Sequence, residues 1–216
     1  MRLKTVLWNA LRRVDQLSPH PRFYPFAMSR AEIAMFDEAV MDARIYLEFG
    51  SGGSTLRAVQ KSKAVIYTVD SSPEWTGYLR RYVVVRRLEN IRLHMCPVDI
   101  GPVGDWGFPT SDLHVRQFES YSGGVFQRVD GRLVDVALVD GRFRVACAVR
   151  LIQECRGNRA FRMLIHDFRD RPQYHAVLAH LDLVGRADTM GLFAVKDDVD
   201  DVALALDYER YKRIPD

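Results

Sequence analysis

The stretch "YLEFGSGGST", residues 46–55, decides the fold class of this 216-residue chain. An apolar run contains an acidic residue, Glu48, and three glycines follow it within five positions. Glycines at a strand-to-helix turn let the backbone approach a ligand closely, and the N–H groups that open the helix attract polar or anionic groups. The stretch is therefore compatible with a dinucleotide, a triphosphate, another adenosine-bearing cofactor, or no ligand.

The pattern around this stretch predicts a parallel sheet, because strand-like apolar runs alternate with segments of helical period. Strands are predicted at residues 45–49, 64–69, 91–96, 134–139 and 163–166, and helices at 54–61, 73–87, 145–155 and 172–180. Two further apolar runs, "LDLVGRAD" and "GLFAVK", predict an antiparallel hairpin at the edge. We expect a Rossmann-like, mostly parallel seven-stranded sheet with helices on both faces, a three-layer α/β/α arrangement.

The chain length predicts one domain spanning residues 1–216. Residues 1–42 are interpreted as an N-terminal helical extension, in which Ser29 and Glu32 form a capping-box pattern. Residues 97–132 are rich in glycine, proline and aromatics, which predicts a long lid-like loop. The segment after residue 196 is compatible with a final helix or a last strand.

Composition narrows the function classes. No apolar run is long enough to span a membrane and the N-terminal segment is charged throughout, so we expect a cytoplasmic protein. Cys96, Cys147 and Cys155 lack CxxC spacing, which favours neither disulfides nor a zinc cluster. Of 31 basic residues only five are lysine. This arginine excess reflects either codon usage or bidentate binding of anions.

Two phosphate-binding interpretations fail on the glycine stretch. In the dinucleotide fingerprint GxGxxG, Gly50 and Gly52 would be followed by a third glycine, where Thr55 stands. A P-loop would carry a lysine after its last glycine, and none is present.

The segment "EFGSGG" resembles the first motif, E/DxGxGxG, of the class I S-adenosylmethionine-dependent methyltransferases, and the resemblance extends from residue 29 onward. It implies S-adenosylmethionine as cofactor, with Glu48 near its amino-acid part. Asp70, 22 residues later at the next strand end, would accept the ribose hydroxyls, and Asp99 after the third strand would contact the adenine. The cofactor-binding residues implied are Glu48, Gly50, Ser51, Gly52, Ser54, Asp70 and Asp99.

The fourth and fifth strands end in "VALVDGRFR" and "MLIHDFRDR", which should bring Asp140, His166 and Asp167 together. Methyl transfer to oxygen needs a base or a metal that makes the acceptor hydroxyl nucleophilic. His166, with an ordinary pKa of about 6.5, is the candidate base. Asp140 and Asp167 are candidate ligands of a divalent ion such as Mg²⁺. A capping aspartate and a core histidine are the alternative interpretations.

The same residues give two weaker likenesses. Metal-dependent O-methyltransferases that act on catechols carry aspartates after these strands, but the asparagine that follows their second aspartate is replaced by Phe168. The pair "VDG" and "HDFRDR" is similar to glucuronoxylan 4-O-methyltransferases and their bacterial relatives. These likenesses imply O-methylation of a small or glycan-like acceptor.

Four arginines follow the same two strands: Arg142, Arg144, Arg169 and Arg171. A cation near the N-terminus of a helix interacts unfavourably with the helix dipole, so these arginines favour an anionic substrate. Ion pairs with surface aspartates explain them nearly as well. We assign substrate binding to Arg142 and Arg169, with Trp106 or Tyr121 covering an apolar sugar face.

Three other functions stay open at this stage. The chain can be a catalytically silent, methyltransferase-like binding protein, since fold does not imply activity. Aminopropyl transfer from a decarboxylated cofactor is a related reaction. A nucleic-acid methyltransferase is disfavoured, because the [DNS]PP[YFW] motif is absent and no basic patch with interleaved aromatics is visible. The oligomeric state is not predicted.

Overall fold

A seven-stranded sheet organises the computed structural model, which describes residues 2–216. Its strands are β1 Ile45–Phe49, β2 Val65–Asp70, β3 Leu93–Pro97, β4 Val136–Val139, β5 Arg162–Ile165, β6 Leu181–Ala187 and β7 Met190–Val195. They lie in the order β3-β2-β1-β4-β5-β7-β6. The first five strands are parallel, and β7 pairs antiparallel with both β5 and β6. The predicted fold class and the edge hairpin are confirmed.

Helices cover both faces of the sheet. They are α1 Arg2–Asp15, α2 Arg30–Met41, α3 Gly53–Lys61, α4 Pro73–Leu79, α5 Val83–Leu88, α6 Glu119–Gly123, α7 Arg144–Cys155 and α8 Asp201–Tyr211. One core contains residues of α7 and α8 together with inward side chains of β1 and β4. The other contains residues of α2, α3 and α5. The segment after residue 196 contains a final helix, α8, and not the last strand that the sequence left equally open. None of the helices within residues 2–216 has the length and apolar character needed to cross a membrane.

Local sequence signals fix two helix starts. Ser29 caps α2 in a reciprocal capping box with Glu32, as predicted. Ser72 accepts the backbone N–H of Trp75 at 3.1 Å, and Pro73 occupies the first position of α4.

The helix predicted over residues 73–87 is wrong as a single element. It is divided into α4 and α5, because the N–H of Val83 donates to the carbonyl of Gln16 at 2.7 Å instead of continuing the helix. This tertiary contact lies 67 residues back along the chain and leaves no local signal. The helix predicted at 172–180 is a 3-10 helix, Pro172–Ala179.

The loop predicted at residues 97–132 is only partly a loop. Its second half consists of short helical turns and α6, and Phe118, Tyr121 and Val125 are buried in the core. Its first half is an outer loop closed by a bridge between Val103 and Pro109. A lid of the predicted length is therefore ruled out by burial of the apolar side chains in its second half.

Candidate active site

The parallel strands after β1 are added on one side of it (β2, β3), and β4 and β5 are added on its other side. The loops that follow β1 and β4 therefore face each other at the carboxyl edge of the sheet. Gly50 has φ +99°, and a Cβ there would lie 2.5 Å from the backbone nitrogen of Gly141. Both positions therefore require glycine, because each backbone fills the space of the other's side chain. This contact brings the glycine stretch directly beside the residues that follow β4.

Glu48 lies beneath the glycine stretch and is fully buried. Its carboxylate accepts hydrogen bonds from Ser54 Oγ at 2.7 Å, from Tyr46 Oη at 2.9 Å and from Thr55 Oγ1. Burial raises the pKa of Glu48 to about 7, against the lowering effect of these hydroxyl donors. Because Glu48 has no solvent-exposed surface, this geometry favours a role in bracing the glycine loop over the expected direct contact with a cofactor.

The other loop residues also hold one another. Helix α3 begins at Gly53, so Ser54 lies in its first turn and does not cap it. The backbone N–H of Gly52 donates to Thr55 Oγ1 at 2.8 Å. Ser51 donates its backbone N–H to Asp70 Oδ2 at 2.9 Å, and its hydroxyl bonds to that of Thr68. The loop is thus preorganised by its own side chains.

Asp70 is at the end of β2 and 9 % exposed. Each carboxylate oxygen accepts one backbone N–H: Oδ2 that of Ser51 and Oδ1 that of Ser72, the latter at 2.8 Å. Burial raises the pKa of Asp70 to about 6, and these hydrogen bonds oppose the rise. Each oxygen keeps a second lone pair, so the pair of oxygens fits a diol such as a ribose. Asp99 is exposed beyond β3 and accepts the N–H of Gly101.

Asp140, His166 and Asp167 meet as predicted, at the ends of β4 and β5. His166 Nδ1 lies 2.9 Å from Asp140 Oδ1 and 3.6 Å from Asp167 Oδ1. Nε2 of the same ring lies 3.6 Å from Oε2 of the buried Glu32. Burial lowers the pKa of His166, but the hydrogen bond to Asp140 and the three surrounding carboxylates raise it above its ordinary value. With Asp140 as acceptor, Nδ1 carries the proton.

Arg144 lies at the centre of this cluster and is 4 % exposed. Its Nη2 is 3.1 Å from Asp140 Oδ1, and its Nη1 is 3.4 Å from Asp167 Oδ2. Nη1 also donates to the backbone carbonyl of His166 at 2.7 Å. Arg144 is one of the four arginines for which the sequence suggests an anionic substrate, and its pairing with both aspartates is not predicted. The available signal was its spacing of four residues from Asp140 at a helix start.

The cluster is a poor fit for a divalent ion. Ligand atoms of Asp140, His166 and Asp167 lie within 4.8 Å of one another, which is the spacing that a metal would need. However, the guanidinium of Arg144 already contacts both carboxylates, and Nδ1 of His166 faces Asp140 as a hydrogen-bond donor. A metal ion would bring a further positive charge beside Arg144, and electrostatic repulsion between the two cations would weaken its binding.

The two predicted substrate arginines lie in different environments. Arg142 is 8 % exposed, with its guanidinium 4.0 Å from the ring centroid of Phe108 in the outer loop. Its Nε and Nη1 are buried without a hydrogen-bond partner among the described residues. Arg169 is exposed. Of these two arginines, only Arg142 is enclosed by other side chains in the structure.

Tyr121 and Trp106, the aromatic residues expected to cover a sugar, differ in exposure to solvent. Tyr121 is 1 % exposed and packs against Phe49 and Phe143, with ring centroids 6.3 and 5.3 Å away. The prediction that Tyr121 covers a substrate is wrong, because its ring belongs to the core beneath the loops. Trp106 is 85 % exposed with φ +58° and covers no group in this conformation.

Glycine-bearing loops at the switch point of a mostly parallel sheet define a Rossmann-like α/β protein. No protein-family model and no curated protein matches the sequence. Among solved structures, a methyltransferase-like protein from Silicibacter pomeroyi superposes with a TM-score of 0.78 and 29% identity, covering 89% of this chain and 98% of that one. An SAH-bound methyltransferase from Podospora anserina gives a TM-score of 0.54 and 16% identity, over 88% of this chain and 86% of that one.

The fold is that of the class I S-adenosylmethionine-dependent methyltransferases, and the resemblance predicted from the glycine stretch is confirmed. The structural neighbours indicate a methyltransferase. The weaker likenesses to glucuronoxylan and metal-dependent enzymes stay predictions.

Proposed function

We propose that the protein transfers a methyl group from S-adenosylmethionine to an oxygen of a small or glycan-like anionic acceptor. The observation that carries the proposal is the contact between Gly50 and Gly141. It brings the loop expected to bind the cofactor beside the cluster of Asp140, His166 and Asp167. Two halves of a transfer site are thus adjacent at one edge of the sheet.

The cofactor half consists of the glycine stretch, Asp70 and Asp99. S-adenosylmethionine, when bound, supplies an electrophilic methyl group on a positively charged sulfur. Asp70 holds the backbone of Ser51 and offers its remaining lone pairs to hydroxyl groups. Glu48 acts from beneath, through its bonds to Ser54 and Thr55, by fixing the turn that the cofactor approaches.

The acceptor half depends on Asp140. Its Oδ1 contacts His166 and Arg144, whereas its Oδ2 makes no hydrogen bond within residues 2–216. Oδ2 of this partly exposed carboxylate is therefore available to the acceptor hydroxyl and takes its proton as the methyl–oxygen bond forms. His166 and Arg144 hold Asp140 in place from the buried side, because both donate hydrogen bonds to its Oδ1.

Calorimetry with S-adenosylhomocysteine tests the cofactor half. We expect binding to the wild type and a loss of at least about tenfold in affinity in Asp70→Asn, since an amide cannot accept hydroxyl protons at both atoms. Asp182→Asn is the matched control, because Asp182 is an exposed acid on the edge strand β6. No binding to the folded wild type would contradict the proposal.

Transfer of a labelled methyl group to acidic sugars tests the acceptor half. Asp140→Asn should lower the rate by about a hundredfold or more while cofactor affinity stays the same. Cofactor binding without transfer to any tested acceptor would favour the methyltransferase-like binding protein instead. An acceptor that gains an unlabelled aminopropyl group when the decarboxylated cofactor is supplied, with the labelled methyl group left on methylthioadenosine, would favour the related transfer.

A further inference from the structure

The N-terminus of α7 is occupied by a carboxylate from the far end of the chain. Phe143, which precedes the helix, makes no side-chain cap. Instead Oδ1 of Asp216 accepts the backbone N–H of Arg144 at 2.6 Å. A 12-residue helix thus presents its N–H groups and positive dipole end to an anion.

Two buried polar side chains beside this helix start have unused hydrogen-bonding capacity. Arg142 is 8 % exposed, and its Nε and Nη1 have no partner among the described residues. Tyr174 is 1 % exposed, and its hydroxyl likewise has no partner there. Arg142 lies two residues before Arg144 in the chain, and the guanidinium carbon of Arg144 lies 5.2 Å from the ring centroid of Tyr174, so both side chains belong to this end of α7. Leaving such groups unpaired is costly, which points to a ligand that satisfies them.

The positive charges around this site favour a negatively charged ligand. The guanidinium of Arg144 is committed to Asp140 and Asp167, but that of Arg142 has no hydrogen-bonded carboxylate. The two cations also repel each other, which lowers the pKa of Arg142 further after burial has lowered it. A negatively charged group with several acceptor oxygens would relieve this repulsion and bond to Arg142, Tyr174 and the helix.

We propose that Arg142, Tyr174 and the first N–H groups of α7 form a carboxylate-binding subsite for the acceptor, which Asp216 occupies until the acceptor's carboxylate displaces it. The inference rests on the proposed function, because it identifies the anionic group of the acceptor as a carboxylate. Arg144 links the subsite to Asp140, because its backbone N–H is bound by Asp216 and its guanidinium pairs with the Asp140 carboxylate at 3.1 Å.

The test is calorimetry with D-glucuronate in the absence of cofactor, with D-glucose as the neutral probe. Asp216→Asn should bind glucuronate about tenfold more tightly than the wild type, because an uncharged cap competes less for the site. Asparagine is as good a helix cap as aspartate, so this variant should fold normally. Glucose should bind neither protein.

Two further variants in the Asp216→Asn background identify the subsite. Arg142→Gln should weaken glucuronate binding at least tenfold, whereas Arg87→Gln, at an exposed arginine, should leave it unchanged. Tyr174→Phe removes a hydroxyl that has no partner, so it should keep the melting temperature and still weaken binding several-fold. Equal glucuronate affinity in the wild type and Asp216→Asn, or no loss in Arg142→Gln and Tyr174→Phe, would overturn the proposal. Cofactor binding is measured separately, so failure of the subsite and failure of methyl transfer give different results.

Discussion

At the residue scale, Glu48 shows how a buried acid can brace a glycine-rich turn from within the core. Its carboxylate is enclosed by the hydroxyls of Tyr46, Ser54 and Thr55, which belong to the strand and helix that flank the glycine turn. An ionised carboxylate there is hydrogen-bonded but desolvated, and desolvation dominates its pKa. The residue therefore couples the geometry of the loop to pH.

The pH dependence of folding should report this burial. The pKa of Glu48 rises from 4.5 to about 7 on folding, so between these values the folded state holds a proton that the unfolded state has released. Stability from this group is consequently lost as pH rises from about 4.5 to 7, by roughly 3 kcal/mol at about 1.36 kcal/mol per pKa unit. Chemical denaturation of the wild type and Glu48→Gln across this range should show a difference that grows with pH. A constant difference would contradict the assignment.

Gly50 should be intolerant of any side chain. Gly50→Ala places a Cβ 2.5 Å from the backbone of Gly141 at a φ of +99°. We expect a loss of at least about 2 kcal/mol in the free energy of unfolding, together with loss of cofactor binding. Gly77→Ala is the control, because a Cβ there has no neighbour within 4 Å and the residue lies in α4, so stability should be unchanged or slightly higher. Similar stabilities of the two variants would exclude the close contact.

At the scale of elements, the start of α7 joins the ends of β4 and β5. Arg144, the first residue of the helix, contacts Asp140 after β4 and Asp167 after β5. Two residues at these turns, Phe143 and Asp167, adopt left-handed backbone conformations at φ +54° and +58°. Such conformations persist only where surrounding contacts enforce them, and they concentrate at functional sites.

Removal of the guanidinium should loosen this junction. Arg144→Gln removes the buried cation that Asp140 and Asp167 share and leaves these partly buried carboxylates only His166 and the exposed Arg171, for which we expect a loss of about 2 kcal/mol in the free energy of unfolding. In Arg132→Gln, which breaks an exposed pair with Asp130, the loss should stay below about 1 kcal/mol. Denaturant titration measures both. Equal small losses would show that Arg144 does not hold the cluster.

At the scale of the whole molecule, the sheet order places the glycine stretch after β1 and the cluster of Asp140, His166 and Asp167 on opposite sides of the contact between Gly50 and Gly141. Strands β2 and β3 extend to one side of β1, and β4 and β5 extend to the other. The outer loop around Phe108 packs onto Arg142 and so covers the same edge. The proposed cofactor, acceptor hydroxyl and acceptor carboxylate are thereby confined to one region.

The requirement for a metal should be decided by this charge balance. The predicted Mg²⁺ ligands Asp140 and Asp167 already pair with Arg144. We therefore expect methyl transfer to persist after exhaustive chelation with EDTA, and added Mg²⁺ to change the rate by less than about twofold. An activity that is lost on chelation and restored by Mg²⁺ would instead support the metal site that the sequence predicted.

Much of the site could be predicted because parallel strands end at a common edge. The polar residues that follow β1, β2, β4 and β5 were all expected there, and Asp140, His166 and Asp167 do meet. Burial was less predictable: Tyr121 was expected to face a substrate but packs in the core. An aromatic residue in a glycine-rich segment gives no periodic signal of the face that it presents.

Hydrophobic period and turn residues act locally, so the fold class, the edge hairpin and the polar residues at the strand ends could be predicted from the sequence. The enclosure of Glu48, the pairing of Arg144 with both aspartates and the contact of Asp216 with the start of α7 became visible only in the folded chain. These facts depend on contacts between residues distant in the chain. Burial and pairing of charges are properties of those contacts, and local sequence does not encode them.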